Sequence, residues 1–225
     1  GREPSEPVVT PDGTVYVANH GDGTVSVING GKVTTTIPVG KNPFPPAVAP
    51  DGTVYVANHG DGTVSVINGG RVTATLPVGK KPISPMMVAA DGTVYVANFG
   101  DGTGSVINGG KVTTTIPVGQ LPGRPVVAPD GTVYVLDFNY GAVWVISGGK
   151  VTATIQVGKN PYAPAVAPDG TVYVTNADDG TVSVISGGKV TTTIPVGKNP
   201  YPPAVAPDGT VYVPNADDGT VSVLR

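Results

Sequence analysis

The 225-residue chain contains no cysteine, which excludes disulfides, thiolate nucleophiles and thiolate metal ligands. Histidine occurs only at His20 and His59, and glutamate only at Glu3 and Glu6, so imidazoles are few and nearly every carboxylate is an aspartate. Charged residues make up 13% of the chain and the net charge is -3 with no basic cluster, so nucleic acid is not an expected partner. No apolar run reaches the roughly 18 residues of a membrane-spanning helix, so no membrane partner is expected either. Apolar periodicity of the helical kind is also missing. What is abundant is Val, Ile, Thr and Gly, with 39% hydrophobic residues overall, and that combination points to packed β structure rather than disorder.

The chain repeats itself. An Asp-Gly-Thr turn recurs at Asp12, Asp51, Asp91, Asp130, Asp169 and Asp208, at spacings of 39, 40, 39, 39 and 39 residues. A fixed period of this length marks a repeat architecture. The fifth copy shows the plan. A short apolar run, Ala163 to Ala167, meets a Pro-Asp-Gly turn. Thr171 to Asn176 then alternates with period two, as a strand does. A polar loop leads to a third strand, Thr181 to Ile185. Gly187 and Gly188 signal a hairpin into a fourth strand, Lys189 to Val196, whose proline suits an edge.

Four antiparallel strands per unit of about 40 residues is the pattern of a propeller blade. The core Tyr173-Val174-Thr175-Asn176, preceded by Pro-Asp-Gly-Thr-Val and followed by Asp-Gly-Thr-Val-Ser-Val-Ile, resembles the YVTN-type β-propeller repeat family. The likeness covers nearly the whole chain, with the core reading YVAN in the first three copies, YVLD in the fourth and YVPN in the sixth. The resemblance implies a secreted or cell-surface protein, hence an extracytoplasmic location, and an architecture without one fixed activity. The expected fold is all-β: a single six-bladed β-propeller domain over residues 1–225, with blades near 1–39, 40–78, 79–118, 119–157, 158–196 and 197–225. Five blades are expected to hold four antiparallel strands. The sixth lacks its outermost strand, which leaves Thr220 to Leu224 as an edge open to another chain.

Going back and forth along the strands puts the Pro-Asp-Gly and Asn/Ser-Gly-Gly turns at one end of each blade. The polar loops and the connectors between blades fall at the other. The turn end hardly varies among the copies, whereas the loop end varies at almost every one. Binding residues favour variable loops on a rigid scaffold. The candidate ligand patch is therefore Phe99, Phe138, Asn139 and Tyr140, with His20, His59, Tyr162 and Tyr201.

Other candidates have simpler explanations. The tyrosines at 16, 55, 95, 134, 173 and 212 share one position in the second strand and suit packing between blades. Asp137, Asn176 and Asn215 are weak candidates for an oxygen-ligated cation; hydrogen bonding to their own loops is the simpler reading. Every aspartate is expected in a turn or loop, and the loop acids before glycine serve first as turn formers. His20 and His59 lie in identical stretches, so one is most simply a copy of the other.

The first strands, rich in Ala, Val and Met, offer no acid, base or nucleophile, so no catalytic residue and no cofactor is expected. The leading expectation is a non-enzymatic, rigid binding or scaffold propeller for a protein, small-molecule or glycan ligand. One alternative is a metal-assisted enzyme of the lactonase, lyase or esterase kind acting at the loop end. Another is an engineered or fragment propeller without a biological ligand.

Overall fold

The computed structural model describes residues 1–225 as two compact units, Gly1–Pro117 and Val118–Arg225, each built from three sheets. In the first unit the sheets are β1 to β4 (Val8–Val9, Val15–Asn19, Thr24–Asn29, Lys32–Pro38), β5 to β8 (Ala47–Val48, Val54–Asn58, Thr63–Asn68, Arg71–Pro77) and β9 to β12 (Met87–Val88, Val94–Asn98, Thr103–Asn108, Lys111–Pro117). In the second they are β13 to β16 (Pro122–Val127, Val133–Asp137, Ala142–Ser147, Lys150–Gln156), β17 to β20 (Ala165–Val166, Val172–Asn176, Thr181–Ser186, Lys189–Pro195) and β21 to β23 (Ala204–Val205, Val211–Asn215, Thr220–Leu224). Every pairing is antiparallel and between neighbours in sequence, and the last sheet has three strands. The first strands of five sheets are shorter than the sequence suggests, at two residues each, whereas β13 is longer, at six.

Alternation gives each blade two apolar faces. In the first unit Tyr16, Ala18, Val25, Val27 and Ile37 meet Val54, Val56 and Ile67 of the next blade. Tyr55, Ala57, Val64 and Val66 repeat that contact against Val94, Val96 and Ile107. In the second unit Tyr134, Leu136, Val143 and Val145 pack on Val172, Val174 and Ile185, and Val182 packs on Val211 and Val213. Val54, Val56, Val172 and Val174 are fully buried, each stabilising by roughly 1.5–3 kcal/mol. The tyrosines at 16, 55 and 134 belong to these cores, as packing predicts.

The hairpin between third and fourth strands closes on two glycines with positive φ, for example Gly187 (+58°) and Gly188 (+75°), a geometry that matches strand twist. Beyond it each fourth strand carries one extra residue. Ile185 pairs with Val190 but Val184 with Thr192, so Thr191 bulges and its hydroxyl donates to the Val184 carbonyl at 3.2 Å. Thr34, Thr73, Thr113 and Thr152 make the same bond in their own blades. No helix in the chain is long and apolar enough to cross a membrane.

Candidate functional site at the loop ends

A hydrogen-bonded lock holds the loop end of most blades. Asn176, fully buried at the end of β18, donates through Nδ2 to the hydroxyls of Thr181 (3.0 Å) and Ser183 (2.9 Å). Its Oδ1 accepts the N–H of Gly158 from the incoming connector at 2.9 Å. At the next connector residue, Asp179 Oδ2 accepts the N–H of Lys159 at 2.8 Å. Asn58 and Asp61, and Asn215 and Asp218, repeat the whole arrangement. The connector glycine is required by close approach: a Cβ on Gly158 would lie 2.5 Å from Asn176 Cγ. Asn176 and Asn215 therefore spend both ends of their amides on the next strand's hydroxyls and on the connector rather than on their own loops, and the loop acids bind connector backbone.

Blade four departs from this lock at four positions together. The amide becomes Asp137, its two hydroxyl partners become Ala142 and Trp144, and the loop acid becomes Tyr140. The changes explain one another. A carboxylate is acceptor-only, so it needs no hydroxyl partner. Asp137 Oδ2 accepts the N–H of Gln120 at 3.1 Å, the bond that Asp179 makes to Lys159 in the next blade. Its Oδ1 accepts the N–H of Asn139 at 2.9 Å. Asp137 is thus the exception among the aspartates: it ends strand β14 and is fully buried, because two backbone donors satisfy it where water does not reach. The connector changes with it. Asn160 and Asn199 adopt φ near +49°. In blade four the positive φ moves to Gly119 (+95°), where a side chain would overlap the Asp137 carboxylate.

With Asp137 doing the work of the loop acid, the loop is free to carry aromatics. Phe138 is 43% exposed and lies across Gly123, and Tyr140 is 56% exposed. Asn139 is tied back by Nδ2 donating to Gln120 Oε1 at 3.0 Å. In the same unit Tyr162 and Tyr201 meet edge to face, centroids 5.6 Å apart. Beside Tyr162 lies an open depression of about 680 Å³, bordered by Asp178, Asp179, Lys198 and Asp217.

In the first unit the loop end brings together His20, Phe44 and His59. Phe44 stands between the two imidazoles, 5.6 Å from the His20 ring and 5.0 Å from that of His59. His20 Nε2 accepts from Asn42 Nδ2 at 3.2 Å, and His59 Nδ1 donates to the Pro82 carbonyl at 3.2 Å. Neither imidazole has a carboxylate partner to orient it for proton transfer. Phe99 is 39% exposed and stands outside this aromatic row. Phe44 occupies the connector position that holds Ile83, Arg124, Tyr162 and Tyr201 in other copies. A second depression, about 670 Å³, opens at the turn end between Asp12 and Asp51, where the copies scarcely vary. No group of three or more His, Asp or Glu side chains is gathered as a metal site would need.

No family model matches the chain, and no curated protein sequence matches it. Many solved structures share its fold. Virginiamycin B lyase from Staphylococcus aureus superimposes with a TM-score of 0.72 at 13% identity, over 98% of this chain and 83% of the lyase. Dihydro-heme d1 dehydrogenase NirN gives 0.73 at 20% identity, over 94% of this chain and 51% of that one. A functionally unknown protein from Desulfotomaculum acetoxidans gives 0.68 at 16%, over 94% and 78%. At such identities the likeness speaks for fold alone. The chain has the six-bladed β-propeller fold, with the last blade three-stranded.

Proposed function

We propose that this propeller is a non-enzymatic binding module of the YVTN-repeat kind, acting outside the cytoplasm. Its recognition surface is the loop end of the Val118–Arg225 unit. One observation carries the reading: Asp137 takes over the backbone bond of the loop acid, and the loop then presents Phe138 and Tyr140 exposed. Exposed Phe138 and Tyr140, in a unit that also holds a polar depression beside Tyr162, suit a carbohydrate. The rings stack on the apolar C–H face of a sugar while carboxylates and amides bond its hydroxyls. Tyr162 with Asp178, Lys198 and Asp217 supplies the polar part.

The test is titration of soluble malto-, cello- and chito-oligosaccharides, followed by NMR of the aromatic side chains. Saturable shifts of the Phe138 and Tyr140 rings are expected, with loss of binding in Phe138→Ala/Tyr140→Ala. Binding that survives this double substitution, or turnover of the sugar, would overturn the reading.

A further inference from the structure

The depression of about 670 Å³ at the turn end lies between the first two blades of the Gly1–Pro117 unit and has no part in the loop-end site. Its border is acidic: Asp12 and Asp51 stand on it, and no Lys, Arg or His does. Each carboxylate uses one oxygen on its own turn. Asp12 Oδ1 accepts the N–H of Thr14 at 3.0 Å, and Asp51 Oδ1 that of Thr53 at 2.9 Å. The two Oδ2 atoms have no partner in the chain. Tyr16 also lines the depression; it is only 6% exposed, and its hydroxyl makes no hydrogen bond within the protein. A buried hydroxyl is costly unless water or a ligand completes it.

The first copy is altered at this place. Thr10 stands where the other five copies have alanine, as at Ala49 and Ala89. Thr10 is buried, and its hydroxyl donates to Asp12 Oδ1 at 2.6 Å. That bond orients the carboxylate and holds its pKa below the usual range. Asn29 differs from its counterparts too. Asn68 and Asn108 each donate to a threonine hydroxyl, at 3.4 and 2.8 Å, whereas Asn29 donates to no neighbour. Thr10, Pro11 and Pro50 are shared with a second depression of about 400 Å³, which Val9, Val48 and Val88 make apolar. An acidic space thus adjoins a hydrocarbon-lined one.

We propose that the cleft between Asp12 and Asp51 binds a primary alkylammonium compound, with its head on the two carboxylates and its chain over Val9, Val48 and Val88. An ammonium carries a full charge and three donors. Asp12 Oδ2, Asp51 Oδ2 and the Tyr16 hydroxyl are three free acceptors bordering the cleft. An anionic head would meet like charge there, and a neutral alcohol would forgo the charge-assisted bonds.

The experiment titrates hexylammonium chloride into the full chain and follows backbone amide shifts by NMR. Saturable shifts are expected at Val9, Thr14 and Thr53. Butylammonium should bind about fourfold more weakly, for two fewer half-covered methylenes. 1-Hexanol and hexanoate should bind at least tenfold more weakly. Asp12→Asn/Asp51→Asn keeps both turns, because an amide oxygen also accepts the threonine N–H, and should weaken hexylammonium at least tenfold. Thr10→Ala installs the residue of the other copies and should weaken it about threefold, as should Tyr16→Phe. Equal affinity for 1-hexanol overturns the proposal, as does unchanged binding by the double aspartate variant. So do shifts confined to residues away from the cleft, or none at tens of millimolar.

Discussion

The backbone N–H of Gln120 donates to the buried Asp137 carboxylate at 3.1 Å, and that bond replaces the one Lys159 makes to Asp179 one blade later. Asp137→Asn swaps an acceptor for a donor that Ala142 and Trp144 cannot receive. We expect a loss of about 1–3 kcal/mol in urea denaturation, the cost of a buried polar group left unpaired. Adding Ala142→Thr returns one hydroxyl acceptor and should recover part of the loss. Independent, additive effects of the two substitutions would show that the blade-four changes are not coupled.

Gly158 and Asn176 are coupled by space rather than charge. Gly158→Ala places a methyl group 2.5 Å from Asn176 Cγ and should cost roughly 1–3 kcal/mol. Asn176→Ala alone loses the bonds to Thr181, Ser183 and Gly158 and should cost a similar amount. Together the two are expected to cost only slightly less than their sum, because the second truncation removes the Cγ contact but leaves Asn176 Cβ and Asp179 Oδ2 each 2.6 Å from the added methyl group. A double-mutant cycle measures the difference.

Stability should fall at both pH extremes, for different groups. Burial, reinforced by the nearby turn aspartate, raises Tyr16, Tyr55, Tyr95, Tyr134 and Tyr173 above their ordinary 10.0. A raised folded pKa means the folded state holds the proton more tightly. The contribution is therefore complete below pH 10.0 and is lost as pH rises through the folded values. At the acid end, backbone N–H groups of Thr93, Thr171 and Thr210 lower Asp91, Asp169 and Asp208 below 3.8. The Thr10 hydroxyl does the same for Asp12. These depressed values contribute stability above pH 3.8 that is lost as pH falls through the folded pKa. Melting curves across pH, with Tyr55→Phe flattening the alkaline limb, check both.

Divalent cations distinguish the binding module from a metal-assisted enzyme. Asn176 and Asn215 have their amides engaged, and both oxygens of Asp137 hold backbone N–H groups. Melting temperature is expected to agree within about 1 °C in calcium, zinc or chelator, since a ligand shifts stability only by binding the folded state. A rise of several degrees would restore the enzyme reading.

The sequence by itself determined the repeat, the strand order within each blade, the two-glycine hairpins and the packing role of Tyr16, Tyr55 and Tyr134, whereas Tyr212, expected to pack likewise, is 43% exposed. All of these are local: period-two alternation and positive-φ glycines depend on near neighbours along the chain. It also carried the signal for the blade-four lock, since Asp137, Ala142, Trp144 and Tyr140 change together, but not the reason. That reason lies in bonds spanning some twenty residues, from connector to loop, which only the tertiary structure brings within hydrogen-bonding distance. The same holds for the threonine bulges and for Phe44 between His20 and His59. Whether a loop side chain holds the fold or faces a ligand depends on which donors surround it. Composition and spacing report residue types, whereas burial and bond partners are decided by the packed chain.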